Sequence, residues 1–160
     1  MKEIEAKIKI SEEEKENLIK KLGKPKFYKQ ENVFFGLEDK IIRHRTLDNG
    51  ILLTIKGKNE PCDFNKREET EIELPYNHEV IKLLFEVIGL KKLLTYEKQR
   101  ADYKINRCTV SLDILTIGNY VEIEGQEQDI SKTINFLGLE KYPIEKRSYF
   151  EMLGGENGLH

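Results

Sequence analysis

The chain has 160 residues, 38% of them apolar and 35% charged, with 27 Lys and Arg against 29 Asp and Glu. That length fits one domain able to bury roughly two thirds of its unfolded surface. The near-neutral balance excludes the global basic field of a nucleic-acid binder, and no apolar run approaches the ~18 residues of a membrane span. Cys62 and Cys108 form no CxxC pair and no secretory leader is visible, so the sequence reads as a reduced, cytoplasmic protein. His44, His78 and His160 are scattered, without zinc-ligand spacing.

In Glu3-Ile4-Glu5-Ala6-Lys7 a strand period of two puts Glu3, Glu5 and Lys7 on one face and Ile4, Ala6 and Ile8 on the other. Ser11 and Glu14 form an S-x-x-E capping box for a helix with Leu18, Ile19 and Leu22 on one stripe and Gly23 at its end. Residues 26–35 return as a strand, with Gln30, Asn32 and Phe34 on one face. Residues 41–47 and 51–56 form a hairpin around Asp48-Asn49-Gly50. Arg43 and Arg45 share a face of its first arm; Leu52, Thr54 and Lys56 share a face of its second. Residues 57–64 read as a loop containing Pro61 and a solvated Lys58.

Asn65–Leu74 is extended, with Arg67, Glu69, Glu71 and Glu73 in a row, and Pro75 stops it. Asn77 caps a helix whose Val80, Ile81, Leu84, Phe85 and Ile88 have helical spacing, and Gly89 ends it. Lys91–Ile105 reads as a long strand with Tyr96, Lys98, Arg100 and Asp102 on one face. Asn106-Arg107 turns into Cys108–Leu115, where Thr109, Ser111 and Asp113 oppose Val110 and Leu112. Gly118-Asn119 turns into residues 120–125, where Tyr120, Glu122 and Glu124 oppose Val121 and Ile123. A helix over residues 130–137 ends at Gly138, a short segment runs from Ser148 to Leu153, and residues 154–160 form a frayed tail.

These are eight strands and three or four short helices in one domain, residues 1–153, of class α+β. One face of the strands is apolar and the other charged. An antiparallel sheet with its charged face in water accounts for that pattern. So does a closed barrel with a polar lumen, provided water, counter-charges and a ligand satisfy the buried charges. The signs are partly sorted, with Arg43/Arg45 and Lys98/Arg100 as basic rows and Glu3/Glu5 and Glu122/Glu124 as acidic ones. A cationic wall beside carboxylates suits a polyphosphate and its metal. On spacing alone the two architectures remain equal alternatives.

The ordered motifs resemble those of the CYTH domain, the triphosphate tunnel enzymes that include class IV adenylyl cyclases and thiamine triphosphatases. Glu3-Ile4-Glu5-Ala6-Lys7 matches ExExK; Ile42-Arg43-His44-Arg45 resembles the paired-arginine strand and Leu53-Thr54-Ile55-Lys56-Gly57 the T-x-K-G strand. Arg67-Glu68-Glu69-Thr70-Glu71, Glu97-Lys98-Gln99-Arg100, Ser111-Leu112-Asp113 and Val121-Glu122-Ile123-Glu124 follow in the family's order. Residues 147–153 resemble the closing segment of the cyclase-like branch. Where the family often carries Q-x-D-x-Y-F, this chain has Gln30-Glu31-Asn32-Val33-Phe34-Phe35, which bears on the substrate end more than on the metal site.

The resemblance implies a closed eight-stranded antiparallel β-barrel with short helices packed outside. It implies phosphate contacts from Lys7, Arg43, Arg45, Lys56, Arg67, Lys98 and Arg100. Mg²⁺ or Mn²⁺ would be held by Glu3, Glu5, Glu122 and Glu124, with Asp113 as a further ligand, and the catalytic set would be Glu5, Lys7 and Glu122. Glu69 and Glu71 are open between ligation and holding basic side chains; His44 falls on the outward face, and Cys108 and Tyr149 read as core packing. The implied activity is that of a class IV adenylyl cyclase, making cyclic AMP and pyrophosphate from ATP. Its alternatives are a triphosphatase for thiamine, inorganic or nucleoside triphosphates, slightly favoured by the additional Glu124, and a non-enzymatic polyphosphate-binding module. No membrane or nucleic-acid partner is expected, and a homodimer is compatible with the sequence.

Overall fold

Antiparallel strands joined by short turns can end as a sheet with two exposed edges or close on themselves and have none. This chain closes. The computed structural model describes residues 2–37, 40–47, 50–56, 60–75 and 77–155. The strands are β1 (Lys2–Ile10), β2 (Tyr28–Leu37), β3 (Lys40–Leu47), β4 (Gly50–Lys56), β5 (Asn65–Leu74), β6 (Lys91–Ile105), β7 (Cys108–Leu115) and β8 (Gly118–Glu124). They form a barrel in the order β1-β5-β4-β3-β2-β6-β7-β8 with every neighbouring pair antiparallel. The helices are α1 (Glu12–Leu22), α2 (His78–Val87), α3 (Glu127–Leu137) and α4 (Tyr149–Met152). Among the described residues, no helix is long and apolar enough to cross a membrane. Asp48, Asn49, Lys58 and His160 lie outside the described residues.

β1 runs beyond the ExExK motif because Ile8 and Ile10 continue the alternation and pair with Val121 and Asn119 of β8. Its other edge pairs with β5 only over Lys2 to Glu5. Further along, that edge is taken by the strap leading to α4: Ile144 bridges Ile8, and the Glu145 N–H donates to the Lys7 carbonyl at 2.7 Å. The strap thus seals the wall where β5 stops.

Local signals act as expected. Asn106 and Arg107 take positive φ, 49° and 64°, in the two-residue turn between β6 and β7. The Ser11 hydroxyl accepts from the Glu14 N–H at 3.2 Å while the Glu14 carboxylate accepts from the Ser11 N–H at 2.8 Å. Ser11→Ala is expected to lower the unfolding free energy by about 1 kcal/mol, measured by urea denaturation.

Among the described residues the outward apolar face packs as two clusters, and α1 joins the first of them through Leu18. Ala6, Ile8, Val110, Leu112, Val121 and Ile123 pack under α3 through Ile130, Ile134 and Leu137. Val33, Phe35 and Ile51 pack under α2 through Ile81 and Phe85, with the Phe85 ring edge-on to Phe35 at 5.0 Å. Here the expected stripe divides. Ile81 and Phe85 are buried, whereas Val80, Leu84 and Ile88 are about half exposed or more. Helix α2 is apolar on both sides, and the barrel wall takes only one of them.

Candidate active site

Closure turns the charged face inward, and the lumen is a cavity of about 1130 Å³ to which all eight strands and α4 contribute. All seven expected phosphate contacts line it, as do Glu3, Glu5, Glu122 and Glu124. Asp113 does not line it. It lies 0% exposed beneath Lys98, Arg100 and the α4 tyrosine Tyr149. His44 is buried and does not line the lumen, as its outward parity requires.

Antiparallel register decides which charges meet. Lys56 stands opposite Glu69, Arg43 opposite Thr54, and Arg100 opposite Asp113. Lys56 accordingly pairs with Glu69 at 2.8 Å and Glu3 at 3.1 Å, and Arg67 with Glu3 at 3.2 Å and Glu5 at 3.6 Å. Arg43 donates to Thr54 at 2.8 Å and to Glu71 at 3.1 Å, and lies 3.6 Å from Glu69. Glu69 and Glu71 therefore hold basic side chains, one of the two roles left open for them.

Lys7 and Lys98 flank the Tyr149 ring, 4.7 and 4.8 Å from its centroid. The Tyr149 hydroxyl donates to Asp113 at 2.9 Å, and Lys7 also donates to the Arg147 carbonyl at 3.2 Å. Tyr149 is core, as expected, but it also sets two lumen ammonium groups. Burial opposes the Lys7 charge, yet Glu5 and Glu122 outweigh it and hold its pKa above the usual lysine value. For Lys98 burial wins over Glu122 and Asp113, and its pKa falls to about 8. Burial works against the Glu122 carboxylate too, but Lys98, Arg100 and Lys7 keep it well below the usual range.

Arg45 is different. Its register partner is Asn32, whose side-chain carbonyl accepts from the Arg45 Nε at 2.9 Å. Among the described residues no carboxylate is paired with it. Burial, then the neighbouring Arg43 and Arg100, push its pKa down to about 10. A guanidinium left in that setting is a receptor for an anion from outside the protein.

The family model of the CYTH domain matches residues 1–141. The chain belongs to the CYTH domain family. No curated protein matches it in a sequence comparison. Among solved structures, a conserved hypothetical protein from Pyrococcus furiosus is similar at 27% identity and a TM-score of 0.77, over 93% of this chain and 98% of that one. The PH1012 protein from Pyrococcus horikoshii is similar at 28% identity and 0.76, over 93% and 98%. A Hippeastrum protein, a candidate adenylyl cyclase described as having a dominant triphosphatase activity, shares the fold at 18% identity and 0.69, over 94% of each chain.

CYTH proteins are generally metal-dependent, and this tunnel has donors of the right chemistry. Glu5 and Glu124 stand directly opposite each other across β1 and β8. Like charges in that position destabilise a sheet unless a cation lies between them. Burial, then Glu3, Glu5 and Glu69, push the Glu124 pKa up; burial and Glu69 raise that of Glu3 against the pull of Lys56 and Arg67. An all-oxygen set suits a hard divalent ion. Among the described residues no three such carboxylates converge on one point, because their oxygens turn to Lys56, Arg67 and Lys7. The CYTH lumen also has an apolar end that the charge pattern did not announce. Phe34, Tyr96 and Phe150 meet there, with ring centroids 5.8 and 4.8 Å from that of Phe34. Phe34 and Tyr96 have the inward parity of their strands; Phe150 arrives with α4 and no periodicity points to it.

Proposed function

We propose that this CYTH chain is a metal-dependent enzyme acting on an organic triphosphate, with the chemistry of a class IV adenylyl cyclase: ATP to cyclic AMP and pyrophosphate. The observation that carries the reading is Arg45, a lumen guanidinium whose opposite position holds an amide instead of a carboxylate. The phosphates lie along Lys7, Arg43, Arg45, Lys56, Arg67, Lys98 and Arg100, and the organic group enters the apolar end at Phe34, Tyr96 and Phe150. A cavity of about 1130 Å³ exceeds the needs of an inorganic chain and supports that placement.

In this reading the cations exchange their carboxylates for phosphate oxygens when substrate arrives. The ribose 3′-hydroxyl attacks the α-phosphorus and gives its proton to solvent, the bond from the α-phosphorus to the bridging oxygen breaks, and pyrophosphate leaves. Charge gathering on the phosphate oxygens is stabilised by the fixed guanidinium forks and by the ammonium groups held against Tyr149. Exchange frees Glu3, Glu5 and Glu122, which with Glu124 would hold Mg²⁺ or Mn²⁺; the ion would supply charge neutralisation and Lewis acidity. Asp113 keeps its buried partners and positions Lys98 and Arg100 without ligating metal.

A triphosphatase is the second reading, supported by the opposed Glu5 and Glu124, which can orient a water at a terminal phosphorus. Product analysis decides. ATP, thiamine triphosphate and inorganic triphosphate are each incubated with Mg²⁺ and with Mn²⁺, and the products are resolved by anion exchange. Cyclic AMP with pyrophosphate is the expected result. Orthophosphate with a diphosphate product makes the chain a triphosphatase, and binding without turnover makes it a binding module. Glu124→Gln is expected to raise the divalent concentration for half-maximal turnover at least about tenfold while the metal-free unfolding midpoint stays or rises. An unchanged metal requirement removes Glu124 from the ligand set.

A further inference from the structure

Away from the tunnel, α2 presents Val80, Leu83, Leu84 and Val87 at the spacing i, i+3, i+4, i+7, and Val87 is 75% exposed. Nothing among the described residues covers this stripe. A surface helix of a monomer has one apolar stripe and an opposite polar face; α2 has a second stripe after Ile81 and Phe85 have entered the core. Ile72 on β5 and Ile55 on β4 extend the apolar surface, being 53% and 45% exposed. Ile72 stands opposite Leu53, which packs against the α2 cluster, so the patch continues from helix to wall.

We propose that this face is the interface of a homodimer, with α2 packed antiparallel against α2 of a second copy across a two-fold axis. The stripe reads the same in both directions: Val80, Leu83-Leu84, Val87, symmetric about the Leu83–Leu84 peptide bond. Reversing the helix therefore sets Val80 against the partner subunit's Val87 and Leu83 against the partner subunit's Leu84. A two-fold interface requires just this self-complementarity, whereas an unrelated partner requires none. The area also suffices. Side chains of this size carry roughly 60–120 Å² of apolar surface each, so Val80, Leu83, Leu84, Val87, Ile88, Ile55 and Ile72, each about half exposed, offer about 350 Å² per copy. Burying twice that in an interface about 65% apolar gives a total near 1,100 Å², above the roughly 1,000 Å² of a specific contact.

The test is sedimentation equilibrium on the full chain at micromolar concentration, with Leu83→Glu and Val87→Lys beside it. The wild type is expected at twice the mass of one chain, and both variants at one, with unchanged far-ultraviolet circular dichroism and unchanged affinity for inorganic triphosphate. A monomeric wild type overturns the proposal, as does a dimer that both variants leave intact. Should Leu83→Glu lose its fold, Val87→Lys decides, because a side chain so exposed makes little contribution to the monomer.

Discussion

Replacing Arg45 by methionine is expected to weaken inorganic triphosphate binding by roughly 30- to 1,000-fold, with the thermal unfolding midpoint unchanged or higher. The two effects have opposite signs because no carboxylate among the described residues pairs with Arg45: its Nε is met by Asn32, and its neighbours Arg43 and Arg100 repel it. A charge so placed costs stability until an anion arrives. Methionine keeps the length of the side chain and removes the charge. Asn32→Asp tests the same point from the other side. A carboxylate opposite Arg45 supplies the missing counter-charge, so the midpoint should rise while triphosphate affinity falls, since the ligand must now displace an internal partner. Calorimetric titration with inorganic triphosphate reads both variants. If Arg45→Met binds as tightly as the wild type, the phosphates lie elsewhere in the lumen.

Much of this was legible before the structure. A period of two gave the parity of each strand residue, so the cations of Lys7, Arg43, Lys98 and their fellows reach the lumen with Glu3, Glu5, Glu122 and Glu124. Parity says which face a residue takes and nothing about what stands across from it. That is fixed by register, a relation between distant segments. The opposition of Glu5 to Glu124, or of Arg45 to Asn32, was therefore invisible. Asp113 shares the inward parity of Ser111 but lies under side chains from β6 and α4, so it was read as a ligand facing the cavity. The division of the α2 stripe was invisible for a related reason: helical spacing shows that a face is apolar, not which of two such faces the wall accepts.

Asp113→Ala should do the reverse of the Arg45 change and lower the unfolding free energy by about 3–5 kcal/mol. Its carboxylate is wholly buried and answers three donors: Lys98 at 2.8 Å, Arg100 at 2.7 and 2.5 Å, and the Tyr149 hydroxyl at 2.9 Å. Removing it leaves Lys98, already pushed down to about 8 by burial, with Glu122 at 3.9 Å as its one carboxylate among the described residues. Arg100 keeps Glu122, so the larger loss falls on Lys98 and on the anchoring of α4. Urea denaturation at constant slope measures the loss. A second substitution isolates the cause: in Asp113→Ala with Lys98→Met no uncompensated ammonium remains, and part of the stability should return. Without that recovery, the loss comes from the freed Tyr149 hydroxyl and the space left behind, and not from charge. The divalent dependence of the single variant separates positioning from ligation. A carboxylate that positions Lys98 and Arg100 leaves the metal requirement unchanged when it is lost, while a ligand to the ion would raise that requirement with little effect on folding.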